Sequence, residues 1–84
     1  MNFYEKIPVK TKAYDLTGEN VEIDTEGLEA TLFVNNGTAF IKARPEVNDA
    51  DAFALEKGTT ISLNGLFYLS GNDANVRVLY CRVI

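Results

Sequence analysis

Short runs of alternating apolar and polar residues, each closed by glycine or asparagine, restrict this chain more than any other feature of its sequence. Side chains on a strand point to opposite faces with a period of two, whereas a helix repeats near 3.6, and no segment sustains the helical period. Within residues 5–13, Ile7, Val9 and Ala13 fall on one face and Lys6, Lys10 and Lys12 on the other. Pro8 lacks an N–H, which places this strand at a sheet edge. After the turn chemistry of Leu16-Thr17-Gly18-Glu19-Asn20, Val21 and Ile23 alternate with Glu22 and Asp24. Phe53 and Leu55 resume the alternation, Glu56-Lys57-Gly58 turns the chain, and Ile61 and Leu63 precede Asn64-Gly65. Residues 45–52 form the longest polar segment, with room for one helical turn after Pro45. About eight short strands without repeat or linker predict one all-β domain spanning 1–84, a small antiparallel β-sandwich of jelly-roll type, with a small barrel as the alternative.

Two hairpins are expected. Asn36-Gly37 is the preferred pair for a two-residue type I′ turn, so residues 28–34 should pair with 39–44. That register sets Val34 against Ala39, Phe33 against Phe40 and Glu29 against Arg44. Its core face would hold Ala30, Leu32, Val34, Ala39, Ile41 and Ala43. A terminal hairpin, looped at 71–74, would set Ser70 against Asn75 and Phe67 against Val78.

Several function classes are excluded by what the chain lacks. It has no histidine, so imidazole general bases, Ser-His-Asp triads and HExxH zinc sites are out of reach. Its one cysteine, Cys81, allows no intramolecular disulfide, and its apolar neighbours mark it as a core residue. The six glycines stand singly beside turn residues and do not make a phosphate loop. We therefore expect no enzymatic activity, no cofactor and no metal site. The net charge of −4 disfavours nucleic acid, and Asp15, Glu19, Glu22, Asp24, Glu26 and Glu29 form an acidic run without a calcium-loop spacing. Tyr4, Lys6, Lys10, Lys12 and Tyr14 would share one face of the first strand, lysines at an edge that discourage aggregation. No stretch is apolar enough for a signal peptide or a membrane span, which predicts neither secretion by a signal peptide nor membrane insertion.

A second apolar face stands out. Phe33 and Phe40 lie opposite the core side of their expected hairpin, and in the last strand both alternating sets are apolar. A sheet in a two-layer protein has one internal face, so the other needs a cover. Phe33, Phe40, Phe67, Val78 and Tyr80 are the candidate self-association face, and a homo-oligomer, dimer or trimer, is expected.

The succession YDLTGE (14–19), LEATLFVNNGTAFIKA (28–43), LEKGTTISL (55–63) and LFYLSGNDANVRVLY (66–80) resembles the small all-β structural proteins of tailed bacteriophages and prophages. These include head-decoration, head-fibre and tail accessory proteins. The resemblance implies a non-enzymatic virion component, present in the host cytoplasm before assembly, that binds itself or a capsid or tail protein. The alternative is a carbohydrate-binding or adhesion module that stacks Tyr4, Tyr14, Tyr68 or Phe33 on sugar rings.

Overall fold

The structure is a computed structural model and describes residues 5–84. Eight strands form: β1 Lys6–Thr17, β2 Val21–Asp24, β3 Glu29–Asn36, β4 Thr38–Lys42, β5 Phe53–Glu56, β6 Thr60–Leu63, β7 Leu66–Ser70 and β8 Asn72–Val83. They build two four-stranded antiparallel sheets, ordered β1-β8-β3-β6 (sheet A) and β2-β7-β4-β5 (sheet B). This is the jelly-roll order. The chain pairs β4 with β5, β3 with β6, β2 with β7 and β1 with β8, and the resulting ribbon wraps so that β8 meets β3 and β7 meets β4. Among the described residues, no helix is long and apolar enough to cross a membrane.

The alternation marks the inward faces correctly. Ala30, Leu32 and Val34 of β3 and Ala39 of β4 are fully buried, Ile41 packs against them, and Ala43 is exposed. Leu16, Ile23, Leu69, Val76 and Val78 complete the layer between the sheets. β1 is an edge strand, as Pro8 indicates. The segment before β5 contains a single 3-10 turn, Asp49–Asp51.

Both expected hairpins are absent, and the correction is topological. β3 and β4 belong to different sheets, as do β7 and β8. Phe33 lies beside Arg77 and Thr60, and Phe40 beside Ala54 and Ser70. Glu29 pairs with Lys6 at 2.8 Å, and Arg44 faces Glu46 at 3.6 Å. Phe67 lies opposite Ile23, and Val78 opposite Lys12 and Leu32. Asn36-Gly37 is a corner at which the chain leaves one sheet for the other.

Packing between corners explains why. A Cβ on Gly37 would lie 2.8 Å from the Asp73 carbonyl oxygen, and one on Gly71 would lie 2.8 Å from the Thr38 carbonyl oxygen. The β3–β4 and β7–β8 crossings therefore press backbone on backbone, which glycine permits. Gly18 N–H donates to the Gly71 carbonyl at 2.7 Å, tying in the β1–β2 turn. At the opposite end Thr25 N–H donates to the Gly65 carbonyl at 3.0 Å, and Gly65 N–H donates to Thr25 Oγ1 at 2.7 Å.

β1 and β8, of twelve residues each, set the 40 Å length of the molecule, since a strand advances about 3.3 Å per residue. A bulge between Pro8 and Lys10 shifts the register of β1. It separates Lys6 from Lys10 and Lys12, so the expected single face of lysines is split.

Candidate functional site

The outer face of sheet A is assembled from three strands remote in sequence. Register places Thr11 beside Leu79 and Thr31, and Ala13 beside Arg77 and Phe33. Paired residues share a face of the pleat, and these alternate with the buried Val76, Val78 and Leu32, so they point away from the core. Leu79 and Phe33 remain 36% and 38% exposed. A groove of about 340 Å³ runs among Thr11, Ala13, Thr31, Arg77 and Leu79, with Lys12 and Val78 between them. Small residues on β1 and β3 create it, because Ala13, Thr11 and Thr31 leave the space that larger side chains would fill. Beside it the Thr31 and Ser62 hydroxyls are hydrogen-bonded at 2.9 Å. Among the described residues no carboxylate lies within ion-pair distance of Arg77.

The expected self-association face does not exist as one surface. Phe67, Val78 and Tyr80 are 5%, 2% and 3% exposed and belong to the core. Phe33 and Phe40 lie on the outer faces of opposite sheets. Leu79 and Arg77, which now join Phe33, were not distinguishable in the sequence, since their proximity depends on the β1-β8-β3 register.

Two polar clusters flank this surface. Lys10 Nζ sits 4.8 Å from the centre of the Tyr80 ring and Lys12 Nζ 4.9 Å from that of Tyr14. The two phenol oxygens are 2.9 Å apart. Burial and then the bond to Tyr14 push the Tyr80 hydroxyl well above its ordinary range. The fifth member of the expected basic-aromatic patch, Tyr4, lies outside the described residues. On the far side of the sandwich, the segment after β4 folds over the outer face of sheet B. There Lys42, 6% exposed, donates to Asp49 at 2.7 Å and to Asn20 Oδ1 at 3.2 Å. Ser70 Oγ donates to the same Asp49 oxygen at 2.8 Å. Lys42 first, and Ser70 second, hold the Asp49 carboxyl below its ordinary value.

No family model, curated protein or solved structure matches this chain.

The chemistry available in the groove is that of adhesion. It offers an apolar floor, one guanidinium and the threonine hydroxyls. Cys81, 4% exposed, is buried beneath the same sheet surface near the Lys6–Glu29 ion pair. Among the described residues no three His, Cys, Asp or Glu side chains are grouped to hold a metal ion.

Proposed function

We propose that this protein is a non-enzymatic assembly module, a structural component of a tailed-phage or prophage virion that acts through self-association. The observation that carries the reading is the exposed Phe33–Leu79 pair beside an apolar groove on the outside of sheet A. Exposed apolar groups grouped on one sheet face are a common mark of a contact surface. The jelly-roll order agrees with it only as a fold-level analogy, since viral capsid proteins and lectins share that architecture. The test is sedimentation of the wild type and of Phe33→Ser combined with Leu79→Ser, with circular dichroism as the folding control. The wild type should be an oligomer, and the double variant a folded monomer of 9.3 kDa. A wild type that stays monomeric at high micromolar concentration overturns the proposal.

A carbohydrate-binding module is the second reading, favoured by the Thr11, Thr31 and Arg77 polar groups that line the groove. Of its candidate rings, Tyr14 is held by Tyr80 and Tyr68 donates to Glu22 at 3.2 Å, leaving Phe33 as the exposed platform. A wild-type monomer retarded on a polysaccharide matrix would select it.

A further inference from the structure

We infer that the protein assembles head to tail: the outer face of sheet A of one copy, around Arg77, Phe33 and Leu79, receives the outer rim of sheet B of the next, where Leu66 stands beside Asp24 and Glu22. This rests on the assembly reading above and specifies its geometry. Charge complementarity identifies the occupant. Five of the eight basic residues, Lys6, Lys10, Lys12, Arg77 and Arg82, lie on β1 and β8 of sheet A. Of these, only Lys6 has a carboxylate partner among the described residues. A cover for the Phe33–Leu79 surface must therefore bring apolar area and negative charge together.

This chain carries such a surface on its opposite side. Register sets Leu66 against Asp24 and Tyr68 against Glu22. Leu66 is 54% exposed, and both acids are exposed without a Lys or Arg partner among the described residues. On sheet B the remaining strand cation, Lys42, is already engaged by Asp49. Each outer face thus joins an exposed apolar side chain to unpaired charge, and the signs are opposite. Such pairing favours encounter in one orientation and opposes like against like.

The topology decides the symmetry. The two surfaces lie on opposite outsides of one sandwich, so neither can be its own partner. Contact between different patches is heterologous and yields a ring or an open fibre, in place of an isologous dimer. A closed trimer remains compatible with this arrangement, whereas a two-fold dimer does not.

The experiment compares wild type, Arg77→Glu and Asp24→Lys by sedimentation, with circular dichroism to confirm folding. Leu66→Ser is a second variant of the sheet B surface that leaves the Asp24-bonded turn intact. Wild type should form species larger than a dimer, while each variant sediments as a monomer. An equimolar mixture of Arg77→Glu with Asp24→Lys, or with Leu66→Ser, should give a species of twice the 9.3 kDa chain mass that does not grow further, because each partner retains one working surface. Phe53→Ser, which removes a residue 60% exposed on β5, should associate like wild type. A mixture that remains monomeric overturns the inference, as does dissociation by Phe53→Ser. A wild-type oligomer indifferent to both charge changes overturns the head-to-tail arrangement while leaving self-association standing. A monomeric wild type removes the assembly reading itself.

Discussion

Gly37 and Asp73 are in backbone contact: the position of a Cβ on Gly37 lies 2.8 Å from the Asp73 carbonyl oxygen and 2.9 Å from Ala74 Cα. Gly37 also has φ +72°, in the region that side chains disfavour. Gly37→Val therefore combines backbone strain with a collision against main chain that has no side-chain freedom to yield. We expect a loss of about 3 kcal/mol in urea unfolding. Gly58→Ala is the comparison, since φ is +89° there but no atom lies within 4 Å. It should lose only about 1 kcal/mol, from strain alone.

Leu32 and Phe33 are adjacent yet belong to different environments, fully buried and 38% exposed. Leu32→Ala should destabilise by about 3 kcal/mol through lost burial and the cavity left behind. Phe33→Ser should change monomer stability by about 1 kcal/mol or less. Equal losses in chemical denaturation would contradict this division into inside and outside.

Acid should weaken the fold through Asp49. Its carboxyl is held below the ordinary 3.8 by Lys42 and then by Ser70, so the unfolded chain takes up the proton first as pH falls. The stabilisation is complete above that unfolded value and is lost as the pH drops through the folded one. Asp49→Asn should flatten the dependence of melting temperature on pH in this acidic window. Asp49→Ala should be more destabilising at neutral pH than Lys42→Met, because it leaves a buried ammonium with Asn20 as its remaining side-chain partner.

Alkali should act through Tyr80. Its hydroxyl is raised above the ordinary 10.0 by burial and by Tyr14, so the folded chain retains a proton that the unfolded chain releases. That contribution is fully present below pH 10 and declines as the pH rises beyond it. Phenolate absorbance should show Tyr80 ionising only together with unfolding, and Tyr80→Phe should reduce the alkaline slope.

Much of the fold was legible in the residues because strand alternation is a local property. Ala30, Leu32 and Val34 declare their side by their own polarity and spacing, and all three are fully buried. Pro8 marked an edge for an equally local reason. The candidate surface was far less legible. Phe67 and Tyr80 are as apolar as Phe33, and nothing in their neighbours distinguishes a core ring from an exposed one.

The sequence by itself determined the strand class, the positions of the turns and which residues of β3 and β4 face inward, because the pleat converts residue order directly into sidedness. Only the tertiary structure decided which strands are neighbours. Asn36-Gly37 carries the composition of a tight hairpin and also suits a corner, since both require positive φ at glycine. The choice was made by backbone at Asp73 and Ala74, remote in sequence, against which Gly37 alone can pack. The same crossing separated Phe33 from Phe40, brought Arg77 and Leu79 to Phe33, and placed Leu66 beside Asp24 on the opposite face. Residue polarity encodes burial locally, but strand partnership depends on the simultaneous packing of two sheets, which no local segment contains.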